Sequence, residues 1–229
     1  SRYRVNRGSA RCGFSLVELL CVIAILAIMV GLILPGIERT AYQSRATRAA
    51  LAVQQAAALV TVYTHDWKEI YPVGAEHAFD AMHRWPQALV AHGLLDNVEA
   101  ADPDGYRQTG GNSIALTVCV LLDSERMRQG TTVPVESARS RPVRTDRVAF
   151  ASSKGILNQY LVPYVPGGPQ LWAGGPRWPA PVQFADGSGE TAAWTRFHSV
   201  RQPDGQLHTE NSVGVPILSS WLGCLGRDR

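Results

Sequence analysis

No metalloenzyme or redox motif is present in the 229 residues. The chain has no HExxH, no Cys/His cluster and no CxxC pair, so the usual zinc sites and a thioredoxin-type pair lack ligands at workable spacing. There is no Gly-x-Ser-x-Gly elbow. None of the glycine pairs Gly110-Gly111, Gly167-Gly168 and Gly174-Gly175 is followed by Gly-Lys-Ser/Thr, which excludes a P-loop. Internal repeats and heptad runs are also missing. The six histidines are dispersed, and His77 and His83 lie six apart, a spacing that does not stack on one helix face. Acids are absent from residues 1–13, which carry Arg2, Arg4, Arg7 and Arg11. Without those four arginines the formal net charge of +3 becomes −1. The basic excess is therefore confined to one end, and no nucleic-acid footprint is expected.

What the chain does have is one long apolar run. From Phe14 to Leu34 only Ser15 and Glu18 are clearly polar. As a helix this run reaches roughly 31 Å, about one hydrocarbon core. Only a helix satisfies its own backbone there. The arginines on the N-terminal flank predict a cytoplasmic N-terminus and an exported remainder; Arg39, Arg45 and Arg48 on the far flank oppose this, and Glu38 offsets them in part. The run is too long for an ordinary cleaved signal, and Pro35-Gly36-Ile37 is a poor small-x-small exit. Glu18 is the anomaly. A carboxylate in a membrane helix costs on the order of 2.5–3.5 kcal/mol by insertion scales, so it should be paired, faced by protein or wetted.

The stretch "CGFSLVELLCVIAILAIMVGLILPGI" closely resembles the class III leader of type IV prepilins and type II secretion pseudopilins. The resemblance covers only the first 30–50 residues. It rests on a short basic leader ending in Gly13, then Phe14, Ser15, Leu16, Val17 and Glu18, then the apolar helix with Pro35 near its end. It implies that a prepilin peptidase cuts after Gly13 and N-methylates Phe14. It also implies that Glu18 pairs with the Phe14 amine of a neighbouring subunit, which relieves the cost of the acid and sets register. Pro35 lacks a donor and is expected to kink or loosen the helix. The organisation then reads as a cleaved leader at 1–13, a membrane helix at 14–36, an amphipathic continuation at 37–68 and an exported domain at 69–229. The fold class expected is α+β, a long helix packed on a small, mostly antiparallel sheet.

Beyond Pro35 the Ala-, Gln- and Arg-rich stretch predicts continued helix ending near His65 to Lys68, with Ile37, Ala41, Leu51, Ala58, Leu59 and Val62 approximating one face. Residues 77–97 predict one or two short helices broken at Pro86, with Gly93 as a C-cap. Residues 98–113 read as a loop, and 130–147 as an exposed connector. "IALTVCVLL" (114–122) and "VAFAS" (148–152) read as strands. Pro163 to Pro181 reads as a long irregular loop. "PVQFADGSGE" reads as a strand and a turn at Asp186-Gly187 that can close a hairpin, and "SVGVPILSSWL" as a last strand. The "FADG" turn, Phe184 to Gly187, resembles that of planctomycete-type pilin-like proteins. Those place a His about ten residues before the Asp, where this chain has Pro176.

Other candidate sites have simpler readings. "DGSGE" (Asp186 to Glu190) and "DPDG" (Asp102 to Gly105) are acidic turns; some pseudopilins hold calcium in a loop, so Asp186 and Glu190 are the calcium candidates, although neither stretch has the ligand count of an EF-hand. No other metal or cofactor is expected. Cys21 falls in the apolar run and behaves as a small hydrophobe. Cys119 and Cys224 either pair in an oxidising compartment or remain separate buried thiols. Trp172, Trp178 and Trp194 read as caps on a thin core, with exposed sugar- or protein-binding aromatics as the alternative.

The functional expectation is a non-enzymatic pilin-like or pseudopilin subunit. It sits in the cytoplasmic membrane with its domain in the periplasm or outside. Its partners are a prepilin peptidase, membrane lipid before assembly and other pilin subunits in a type IV pilus or secretion pseudopilus. The rival is a membrane-anchored extracytoplasmic binding or enzymatic domain using the helix as a tether.

Overall fold

The computed structural model describes residues 15–102, 113–122, 139–162, 170–171, 179–193 and 196–197. They divide into two compact units, Ser1–Gln43 and Ser44–Arg229. Helix α1 runs from Leu16–Asp66, 51 residues, and is helical on both sides of Pro35. Its first part makes up the described portion of the first unit. There every residue from Ser15 to Leu34 is exposed.

The second unit is α+β. Helix α2 (Ala78–Ala91), strand β1 (Ile114–Leu116), the short helix α3 (Val118–Leu121) and strands β2 (Gly155–Gln159), β3 (Leu161–Val162), β4 (Gln170–Leu171), β5 (Ala180–Phe184) and β6 (Gly189–Ala192) follow in order. Four strands form an antiparallel sheet in the order β1-β2-β5-β6, and β3 pairs with β4 in a second small ladder. The row Ala115, Asn158, Val182 and Glu190 runs across the four strands in register. This is the long helix with a small antiparallel sheet that the sequence predicts.

The core joins α1, α2 and the sheet through Val53, Ala56, Val60, Met82, Trp85, Leu89, Ile114, Leu116 and Leu157. Burying a side chain of the Leu or Met class contributes about 1.5–3 kcal/mol. The α1 residues that do this are mostly alanines, at positions 49, 52, 53, 56, 57, 60 and 63, the spacing of one helix face. Of the predicted face only Leu59 packs against the core; the rest is exposed. Ile37, Leu51 and Val62 are 58%, 51% and 48% exposed, and Ala41 and Ala58 are exposed too. Small residues let the sheet and α2 approach the helix axis, so the larger aliphatics are left outside.

Three further expectations need correction. First, α2 does not break at Pro86, which lies inside it. The lost hydrogen bond and ring clash, worth about 3 kcal/mol, are offset by the burial of Ala81, Met82, Trp85, Ala88 and Leu89. The helix ends as predicted at Gly93 (φ +72), where Gly93 N–H donates to Val90 O at 3.0 Å and Leu94 N–H to Leu89 O at 2.9 Å. Second, "IALTVCVLL" is strand only to Leu116. Thr117 Oγ1 accepts the Cys119 N–H at 3.4 Å and turns the chain into α3; a short apolar run does not by itself distinguish strand from helix. Third, "VAFAS" is a turn and a 3₁₀ turn, Ala151–Ser153, and the strand follows at Gly155–Gln159. Asn158 and Gln159, both buried, masked that strand from a hydrophobicity reading.

The part of the connector that is described, from Arg139, lies along the segment after α1. Arg144 bridges to Ile70, and Arg139 to His77. Exposed ion pairs Arg144–Glu69 (2.8 Å) and Arg139–Glu76 (3.0 Å) accompany them. The last predicted strand, 212–222, and most of the Pro/Gly-rich loop lie outside the described residues.

Candidate functional site

The first helical turn of α1 is built as a reciprocal cap. Ser15 N–H donates to Glu18 Oε2 at 2.8 Å, and Glu18 N–H donates to Ser15 Oγ at 3.2 Å. This is a Ser-x-x-Glu capping box, which satisfies two backbone donors that a helix start otherwise leaves orphaned. The carboxylate also sits where the helix dipole favours negative charge. Glu18 therefore has a partner within its own chain. Its position at the fifth residue from Phe14 is set by the needs of the helix end as well as by any neighbour. Ser15 enters the sequence motif only as a matching residue; its capping role is carried by the Ser-x-x-Glu spacing before an apolar run.

Gly13 and Phe14 lie outside the described residues. Covalent connectivity places Phe14 directly before Ser15, whose N–H the Glu18 carboxylate holds. An amine released by cleavage after Gly13 would thus arise one residue from the acid's present partner. From Leu16 onward the helix is long and apolar enough to cross a membrane, with none of that window buried. Downstream of Pro35, Thr40 Oγ1 donates to Gly36 O at 2.9 Å.

The remaining candidates separate. Asp186 Oδ1 accepts from the Ser188 N–H (2.9 Å) and hydroxyl (2.6 Å), an Asx turn that shapes the β5–β6 hairpin. Gly187, with φ +85, supplies the left-handed residue of that turn. Glu190 lies on β6 opposite Val182. Among the described residues no group of three or more His, Cys, Asp or Glu could hold a metal ion. Asp102 accepts the Ser113 N–H at 2.8 Å and also the Ser113 hydroxyl. Gln159 Nε2 donates to Ser113 Oγ at 2.7 Å, which extends the network into β2. Cys119 is buried, and Cys224 lies outside the described residues, as do His198, His208, Trp172, Trp178 and Trp194. His92 packs against Trp67 with ring centroids 3.8 Å apart and planes tilted by 41°, and His83 meets Tyr160 edge-on at 4.8 Å.

A cleft of about 280 Å³ lies between α1 and the β5–β6 hairpin. Ala50, Val53 and Gln54 form one wall, and Val182, Gln183 and Glu190 contribute to the other.

An exposed apolar helix opening on a capped Ser-x-x-Glu turn and followed by an α+β unit with a small antiparallel sheet is consistent with a pilin-like fold. Residues 8–34 match the family model described as the prokaryotic N-terminal methylation motif, the prepilin-type signal of type IV pilins and pseudopilins, and the chain carries that signal. No curated protein and no solved structure matches the chain.

Proposed function

We propose that the chain is a structural subunit, cut by a prepilin peptidase between Gly13 and Phe14, N-methylated at Phe14, and assembled into a type IV pilus or secretion pseudopilus. The observation that carries this reading is the methylation motif over residues 8–34 joined to a helix that is apolar and fully exposed from Leu16 to Leu34. In the membrane such a helix is covered by lipid; in a filament it is covered by copies of itself. Further support comes from the second half of α1. Leu51, Ala58 and Val62, spaced seven and four apart, form an apolar stripe left exposed on the side away from the buried alanines. Glu18 would exchange its Ser15 N–H for the stronger charge-assisted contact with the Phe14 ammonium of the adjoining subunit. The N-terminal arginines would hold residues 1–13 in the cytoplasm, and the domain would be exported.

The test is Glu18→Val in cells that lack the native copy. Membrane insertion should be retained, with the chain missing from the sheared filament fraction. Normal incorporation would refute the register role.

A further inference from the structure

We infer that residues 139–147 are a strap that opens ahead of the rest of the second unit, latched to the end of α1 by Arg144, with Lys68 and Glu69 as its strained hinge. The latch works within one copy and does not depend on assembly.

The first argument is backbone strain. Among the described residues only two that are not glycine have positive φ, Lys68 (+54°) and Glu69 (+61°), and they are consecutive. They end α1. Glu69 N–H donates to Thr64 O at 2.7 Å, the long closing bond of a Schellman turn, whose left-handed position glycine usually fills. A side chain in that region carries strain, and it persists only where the surroundings enforce the conformation. With Lys and Glu in place, the turn needs support from outside the helix.

The second argument is the source of that support. The strap holds Glu69 at both its side chain and its backbone. Arg144 Nη2 donates to Glu69 Oε2 at 2.8 Å, and Thr145 N–H donates to the Glu69 carbonyl at 2.7 Å. Arg144 Nε donates to Asp146 at 3.2 Å, so the guanidinium spans two carboxylates. Tyr71 N–H donates back to Val143 O at 3.4 Å. The strained turn and the strap therefore hold or release each other.

The third argument is the weak grip of the strap itself. No residue from 139 to 147 is fully buried, and the apolar side chain it packs against the core is Val143. Much of the remaining hold is backbone: Ser140 N–H to Glu76 O, Arg141 N–H to Leu121 O and Val143 N–H to Val120 O, at 2.7, 2.7 and 2.9 Å. Segments with few buried apolar contacts open locally at less than the global cost. The Glu69 and Arg144 side chains are 52% and 48% exposed, so salt reaches the latch. Opening frees the Glu76, Val120 and Leu121 carbonyls and lets the hinge relax.

The test is hydrogen exchange of the full-length chain in detergent, with segments 69–71 and 143–145 read relative to strand β2. In the native chain both segments should exchange about tenfold or more faster than β2. Raising salt from about 0.05 to about 1 M should speed them about threefold. Glu69→Gln, which keeps shape and drops the charge, should speed them about fivefold at low salt and remove most of the salt response. Lys68→Gly, which relieves strain and keeps the latch, should slow them about threefold. Unchanged β2 exchange in both variants reports an intact fold and supports local opening. Exchange of both segments at the β2 rate, or no response to Glu69→Gln, overturns the latch. An equal gain in β2 overturns it too, because the ion pair would then stabilise the whole unit. No response to Lys68→Gly overturns the hinge.

Discussion

The Ser15 hydroxyl and the Glu18 carboxylate each take the other residue's backbone N–H, at 3.2 and 2.8 Å, and so close the start of α1 from both sides. The acid that looks misplaced in an apolar run is the N3 residue of a capping box. This relationship separates the local role of Glu18 at the helix start from the charged role proposed for it toward a neighbour.

Substituting Ser15→Ala should cost the first turn about 1 kcal/mol. In detergent, amide exchange at Glu18 should accelerate roughly fivefold, while processing continues. Glu18→Gln should show the opposite pattern. Glutamine still closes the box, so exchange stays slow, but the charge is gone and incorporation into filaments should fall.

Gly74 packs against α2 so closely that a Cβ would lie 1.5 Å from Arg84 O. The obstacle is backbone and cannot rotate away. Gly74→Ala should therefore destabilise the domain by about 3 kcal/mol, seen as a fall in the thermal midpoint.

Asn158 is fully buried on β2, and neither of its side-chain polar atoms has a hydrogen-bond partner among the described residues. Burying an unsatisfied amide costs about 1–3 kcal/mol. Asn158→Leu should raise the chemical denaturation midpoint by a corresponding amount; a fall would mean that the amide is held by a partner that leucine cannot replace.

Burial raises the Tyr160 phenol above its ordinary value of 10.0. The neutral form is favoured in the folded chain, so its contribution is complete below pH 10 and is lost as pH rises through the folded-state value. Tyr63 shifts the same way for the same reason. Stability should therefore decline in strong alkali, and Tyr160→Phe should flatten that decline in a pH series of denaturant melts.

The legible parts of this protein were those with a local cause. The apolar run, the Gly93 cap and the Asp186-Gly187 hairpin each follow from residue types at fixed spacing. The face of α1 was misread because hydrophobicity favours Leu51 and Val62, whereas the packing favours the alanines that allow close approach. Strand β2 was missed because Asn158 and Gln159 are polar yet buried, and the Gln159 contact with Ser113 spans 46 residues of sequence. The cleft was illegible because its walls come from α1 and from a hairpin more than a hundred residues away. Glu190 was noticed only as a weak calcium candidate.

The most direct measurement is the intact mass of the full-length chain after extraction from its own membranes. The account predicts a chain that begins at Phe14 and carries one added methyl group on its amine. A chain that retains residues 1–13 with its arginines would contradict it.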